Sequence, residues 1–154
     1  MSIQEYLLKI KEKFPYLFDV YGFRIAYTKE FRFDHYSIGL ESDMLRLLFE
    51  QERGGWGIFV GKLDASFDHK KNNWVNIYSL LPYLLKREVD WSTLSKYPYL
   101  EQVDVMLSLT ARELAPLFSQ IVEMFRSPDT IAQWKPAYDQ YVKDKIENRI
   151  GKKR

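Results

Sequence analysis

Three residues that could bind a metal ion occur close together in a polar stretch of the chain. Asp64, Asp68 and His69 combine two carboxylates with an imidazole, and these groups can ligate a divalent cation. The other histidine, His35, has no partner at the spacing of a helical zinc site, and neither has His69. Because polar loops gather such residues by chance, we keep a small metal-dependent enzyme or metal-binding protein that uses this loop as an alternative function. We assign no catalytic residue, cofactor or metal ligand.

Two pairs of carboxylates offer a second kind of chemistry. Glu41 with Asp43, and Glu50 with Glu52, are each separated by one residue, and this spacing places both members of a pair on one face of a strand. A pair of this kind in a cleft could act as general acid and base. Charged residues at strand ends also discourage edge-to-edge association, and we interpret both pairs in that way.

Several functional classes are disfavoured by what the sequence lacks. It has no cysteine, which excludes disulfides, thiolate metal sites and cysteine nucleophiles and fits a reducing compartment. Its glycines between Gly54 and Gly61 begin a strand and not a helix, unlike a dinucleotide-binding motif. No apolar run approaches the ~20 residues that span a bilayer, and the N-terminus does not resemble a signal peptide. We therefore expect a cytoplasmic protein without a membrane segment.

The period of the apolar residues changes along the first half of the chain. Apolar residues at helical spacing from Ile3 to Phe14 predict a helix, and Ser2 with Glu5 predicts a capping box at its start. From residue 21 to residue 63 the period is two, which predicts about four strands. The short turns between these strands require antiparallel pairing, because a parallel connection needs a dozen or more residues.

The second half of the chain returns to helical spacing. We therefore expect one α+β domain over residues 1–154, in which an antiparallel meander of about four strands packs against N-terminal and C-terminal helices. The predicted helix starts are Asn72 or Asn73 before Trp74, Thr110 with Glu113, and Ser127 with Pro128.

The C-terminal tail is basic, with seven lysines and arginines between Lys135 and Arg154. The net charge of the whole chain is only +2, which does not by itself indicate nucleic-acid binding. Cations are favourable near a helix C-terminus, and aromatic residues are not interleaved near the end of this tail. We interpret the tail as a solvated helix end and keep nucleic-acid binding as an alternative.

Residues 45–55, followed by a strand and then by the segment from Trp74 to Leu81, carry a resemblance to known proteins. This part of the chain is similar to small uncharacterised bacterial α+β proteins, some of which look like immunity proteins of toxin systems. The resemblance implies a helix before a short meander, further helices after it, and a non-enzymatic protein that binds and blocks a partner protein. It supplies no catalytic motif.

The sequence therefore predicts a protein-binding module, with an immunity-like inhibitor as its most specific form. Aromatic residues anchor many interfaces, and an acidic rim accelerates association with a basic partner. Homodimerisation stays open. The predicted contact residues are Tyr36, Asp43, Glu50, Glu52 and Trp56.

Overall fold

The computed structural model describes residues 1–32, 34–52, 55–68 and 74–152, apart from the side chains of residues 100, 151 and 152. Short 3-10 helices cover Ser92–Lys96 and Ala115–Leu117. The helices are α1 (Ile3–Lys13), α2 (Pro15–Asp19), α3 (Ile77–Leu85), α4 (Tyr99–Leu114), α5 (Phe118–Met124) and α6 (Pro128–Lys152). The strands are β1 (Arg24–Phe31), β2 (His35–Glu41), β3 (Arg46–Glu52), β4 (Gly55–Gly61) and β5 (Trp74–Asn76).

The sheet follows the order of the chain, β1-β2-β3-β4-β5, and every neighbouring pair is antiparallel. This confirms the predicted α+β class and the meander. The meander has one more strand than predicted, because Trp74–Asn76 pairs with β4 and does not begin a helix. Asn76 then caps α3, since its side-chain oxygen accepts a hydrogen bond from the Tyr78 N–H at 2.8 Å. The predicted capping residues Asn72 and Asn73 lie outside the described residues.

Two other helix starts agree with the sequence and one does not. The Ser2 hydroxyl accepts a hydrogen bond from the Glu5 N–H at 3.1 Å, and Ser127 accepts one from the Thr130 N–H at the same distance. The predicted start at Thr110 is wrong, because this residue lies inside α4 and is fully buried. Its hydroxyl donates to the Met106 carbonyl at 2.8 Å, one turn earlier in the helix, so the hydroxyl is satisfied without a helix end.

The two faces of the sheet have different surroundings. Alternate residues of the central strands, among them Ile38, Leu47 and Ile58, join the helices in one apolar core. The helices therefore cover this face, which confirms the predicted packing of the meander against N-terminal and C-terminal helices. The opposite face, which we call the outer face, carries the other alternating set. Within the described residues, no helix combines the length and the apolarity that crossing a bilayer requires.

The segment after β4 covers one end of the outer face. The Phe67 ring lies over Gly39 and stacks on Tyr27 with a centroid separation of 5.3 Å. The Arg46 guanidinium lies 4.6 Å from the centre of the Phe67 ring, and its Nη1 donates to the Ala65 carbonyl at 2.7 Å. This end of the outer face is therefore closed.

The core contains one hydroxyl whose removal should not weaken the fold. Tyr6 is fully buried, and its hydroxyl has no hydrogen-bond partner within the described part of the chain. Burial raises the pKa of Tyr6 well above its usual value, so the hydroxyl stays neutral. An unsatisfied buried polar group costs about 1–3 kcal/mol. We therefore expect Tyr6→Phe to leave the free energy of unfolding unchanged or to raise it, as measured by urea denaturation.

Tyr16→Phe is the matched control for this prediction. The Tyr16 hydroxyl donates a hydrogen bond to the Ala111 carbonyl at 3.0 Å, and we expect its loss to cost about 1 kcal/mol. Equal destabilisation by both substitutions would contradict the prediction for Tyr6.

Candidate functional site

The five residues predicted from sequence to form a contact surface do not form one patch. Asp43, whose side chain is 98% exposed, lies in the turn between β2 and β3. Glu52, with a side chain that is 55% exposed, ends β3 at the opposite end of the sheet, and the half-buried Trp56 follows in β4. Seven residues of strand separate the two ends of β3 by about 20 Å. The predicted acidic surface is therefore divided between the two ends of the sheet.

Tyr36 and Glu50 are buried, with exposures of 2% and 6%, and this corrects their prediction as surface residues. Tyr36 lies on the helix-covered face, where its ring is 6.4 Å from that of Tyr6 and its hydroxyl donates to the Met1 carbonyl. Glu50 lies on the outer face, where its Oε1 accepts a hydrogen bond from the Ser37 hydroxyl at 2.9 Å. The alternation along β3 indicated the face of Glu50, but the sequence did not indicate the neighbours that cover either side chain.

The open end of the outer face carries a cluster of His35, Glu50 and Glu52, which we call the outer-face cluster. One ligand atom from each residue lies within 4.8 Å of the others. The register of β2 and β3 brings them together, because Ser37 lies opposite Glu50 and His35 is two residues before Ser37. The His35 Nε2 is 3.3 Å from the Glu52 Oε1. These groups can bind a cation or donate and accept protons.

A cavity of about 240 Å³ opens beside the outer-face cluster. Glu50 and Glu52 line it together with Gly55, Gly57 and other residues of β4. Gly57 lies opposite Glu50 in the sheet, and a Cβ at Gly57 would come within 2.6 Å of the Phe59 ring. Glycine is therefore needed at position 57 for the Phe59 ring to lie across the strand.

A second cavity, of about 360 Å³, is lined by Trp56, Tyr78 and Trp91. We call it the aromatic groove. It lies between β4, the segment after α3, and α6, and Trp56 lines both this groove and the cavity beside the outer-face cluster. Its principal lining residues are Trp56, Tyr78, Trp91, Leu94, Lys145 and Arg149.

Contacts among its own residues hold the wall of the aromatic groove in place. The rings of Tyr78 and Trp91 pack edge to face, with centroids 5.3 Å apart. Burial raises the pKa of Tyr78, so its hydroxyl stays protonated at neutral pH. Lys145 forms an ion pair with Glu88 at 2.9 Å, which connects α6 to the segment after α3. Arg149 also lines the groove and forms no ion pair with any other described residue.

A third cavity, of about 450 Å³, adjoins the aromatic groove across Pro82 and Glu88, which line both. Tyr83 and Tyr141 contribute aromatic surface to it, with ring centroids 5.3 Å apart. The side formed by α3 and α6 is therefore concave, aromatic and bordered by cations. This surface was not predicted from the sequence, although the sequence contains the tail cations and the tyrosines of α6.

The predicted metal-binding loop is only partly described. Asp68 accepts a hydrogen bond from the Tyr27 hydroxyl at 2.9 Å, and Asp64 is 4.0 Å from the Lys62 Nζ. His69 lies outside the described residues, so metal binding by this loop stays a prediction. The outer-face cluster was not predicted, because His35 joins Glu50 and Glu52 only through the register of β2 and β3.

Comparison of the chain with protein-family models, with curated proteins and with solved structures gives no match in any of the three. The likeness to immunity proteins stays a prediction from the sequence.

Proposed function

We propose that this protein is a non-enzymatic protein-binding module that receives a segment of its partner in the aromatic groove. The observation that carries the proposal is the convergence of Trp56, Tyr78 and Trp91 with two cations in one concavity. Tryptophan, tyrosine and arginine supply most of the binding energy at protein interfaces. A groove with an aromatic wall and a charged rim fits a large apolar side chain that is followed by a polar group.

The charges of the rim indicate the chemistry of the partner segment. Lys145 and Arg149 both come from α6, and Glu88 neutralises only the first of them. A segment that carries a large apolar residue beside a carboxylate would fill the groove and pair with Arg149, and opposite charges of this kind accelerate association. The proposal keeps Trp56 from the predicted contact residues and replaces the predicted acidic surface by a basic one.

A groove of aromatic and cationic residues also resembles the sites that bind single-stranded nucleic acid. The position of Glu88 favours a protein segment, because its carboxylate lines the groove and is already paired with Lys145. A nucleic-acid backbone carries a charge at every phosphate and would approach this carboxylate. We therefore treat nucleic-acid binding as an outcome of the test.

Selection of random peptides displayed on phage, with the 154-residue chain as bait, tests the proposal. We expect the enriched peptides to share an aromatic or leucine residue next to Asp or Glu. A synthetic peptide of the enriched sequence should then quench tryptophan fluorescence on binding, because Trp56 and Trp91 line the groove. Arg149→Glu should weaken its affinity by about tenfold or more, which corresponds to about 1.4 kcal/mol.

Lys143→Glu is the matched control, because Lys143 is an exposed lysine on the same helix and does not line the groove. Circular dichroism would establish that both variants keep their helical content. Equal loss of affinity in the two variants would overturn the proposal. Binding of a short oligo(dT) that weakens steeply with salt, without enrichment of any peptide, would overturn it in favour of nucleic-acid binding.

The proposal also includes inhibition of the partner and a cytoplasmic location, and each of these rests on a separate observation. The first is implied by the resemblance to immunity proteins, and the second by the absence of cysteine. If the bound partner is a toxin, its activity should fall as the fraction of toxin bound in the groove rises. The Arg149→Glu variant should inhibit the toxin less than the Lys143→Glu variant does.

A further inference from the structure

We propose that His35, Glu50 and Glu52 bind a divalent first-row metal ion on the outer face of the sheet. This site is separate from the aromatic groove, and the proposal does not depend on the proposed function. Imidazole with two carboxylates suits ions such as Zn²⁺ and Mn²⁺ better than the all-oxygen sites that Ca²⁺ prefers.

The separation of the ligand atoms supports binding of a shared metal ion. The His35 Nε2 lies 3.3 Å from the Glu52 Oε1, yet this buried nitrogen makes no hydrogen bond within the described residues, so the contact does not have hydrogen-bond geometry. Two ligands bound to one ion at about 2.1 Å lie about 3.0–3.4 Å apart at octahedral or tetrahedral angles. The observed separation of 3.3 Å falls within this range. Glu50 completes a set of three within 4.8 Å.

Neighbouring residues hold these ligands in a fixed orientation. The ring of Phe31 stacks on His35 with a centroid separation of 4.2 Å and an interplanar angle of 19°, which fixes the plane of the imidazole. The Ser37 hydroxyl donates to the Glu50 Oε1 at 2.9 Å and orients this carboxylate. Partners that orient metal ligands in this way are a regular feature of metal sites. His35 and the two glutamates also belong to paired strands, which hold them more firmly than a loop would.

The space beside the ligands leaves room for further ligands of the ion. Three protein ligands leave at least one coordination position for water or for a group of another molecule. The cavity of about 240 Å³ lies against Glu50 and Glu52, and Gly55 and Gly57 line it without side chains. An ion bound by the outer-face cluster would therefore face an open cavity and would keep exchangeable ligands.

Metal titration of the 154-residue chain after EDTA treatment tests this inference, with ZnCl₂ and MnCl₂ as the probes. We expect one ion per chain by calorimetry and a higher melting temperature at millimolar metal, because the folded state alone holds the three ligands together. Glu52→Gln should weaken metal binding by about tenfold or more while the protein stays folded, because this side chain is half exposed. Asp43→Asn removes an exposed carboxylate at the other end of the sheet and should leave the affinity unchanged.

Paramagnetic broadening by Mn²⁺ locates the ion without any substitution. We expect the amide signals of residues 35–37 and 50–52 to broaden first in a ¹H–¹⁵N spectrum. Absence of stoichiometric binding, or equal affinities in the wild type and Glu52→Gln, would overturn the inference. Binding that survives in Glu52→Gln and is lost in a variant with both Asp64→Asn and Asp68→Asn would place the ion in the loop and would also overturn it.

Discussion

Replacing Phe118 with alanine is expected to lower the free energy of unfolding by about 3–5 kcal/mol, which is the usual cost of removing a buried aromatic side chain. The ring of Phe118 is fully buried. It packs edge to face against Tyr21 at 4.6 Å, Phe23 at 5.8 Å and Tyr16 at 6.3 Å between centroids. Edge-to-face pairs add stability beyond the buried area, so several contacts are lost in one substitution.

The position of Phe118 explains why the cavity should not close. Phe118 begins α5, whereas its three aromatic neighbours belong to α2 and to the segment that leads into β1. The ring therefore joins the C-terminal helices to the N-terminal part of the chain. Alanine would leave a void between elements that are held by their other contacts, and a void that persists adds to the cost.

Urea denaturation and thermal melting would measure the effect of Phe118→Ala. A loss of this size corresponds to a fall of about 10 °C in the melting temperature for a chain of this length. Phe118→Leu keeps a large apolar side chain and should lose less. Leu8→Ala provides a control within α1, because Leu8 is an exposed leucine and exposed substitutions change stability by about 0.5 kcal/mol or less. A loss for Phe118→Ala as small as that for Leu8→Ala would contradict the prediction.

Gly39→Ala is expected to destabilise the protein by about 1–3 kcal/mol through overpacking. A Cβ at position 39 would lie 2.5 Å from the Phe67 Cε1, which is far inside van der Waals contact. The Phe67 ring would have to leave Gly39 and so loosen its stacking on Tyr27 and its contact with Arg46. Alanine favours a strand at least as well as glycine, so the expected loss comes from the displaced ring and not from the backbone.

Gly55→Ala is the matched control, because a Cβ at Gly55 would meet no atom within 4 Å. We expect this variant to retain the stability of the wild type in urea. The double variant with Gly39→Ala and Phe67→Ala should be less unstable than the sum of its two single variants, since the clash is absent once the ring is removed. Strict additivity, or equal losses in Gly39→Ala and Gly55→Ala, would show that the ring does not rest on Gly39.

The parts of the fold that depend on neighbouring residues could be predicted from the sequence. Ser2 and Ser127 cap their helices because a side chain reaches backbone groups three residues later, and this contact needs no other element. The strands had to be antiparallel because their turns are too short for a crossover. The predicted α+β meander followed from these local constraints.

Predictions failed where packing against other elements outweighed the local sequence pattern. Thr110 has the spacing of a helix cap, but packing continues α4 through it and its hydroxyl binds the Met106 carbonyl. Trp74 has the pattern of a helix start, but β4 offers an open edge and takes residues 74–76 as a fifth strand. In both cases local preference, which amounts to about 1 kcal/mol, was outweighed by tertiary contacts.

The sequence by itself determined the class of the fold, the direction of its strands and the alternation of faces along β3 and β4, because these follow from turn length and from a period of two. In β1 a register shift between Ile25 and Tyr27 breaks this alternation. Only the tertiary structure decided which strand residues are covered, and it buried Tyr36 and Glu50. It also brought His35 close to Glu50 and Glu52, through strand register, and placed Trp56 and Arg149 along one groove, through the packing of α6. Both candidate sites bring together residues that are far apart in the chain. Short-range sequence patterns do not predict such contacts.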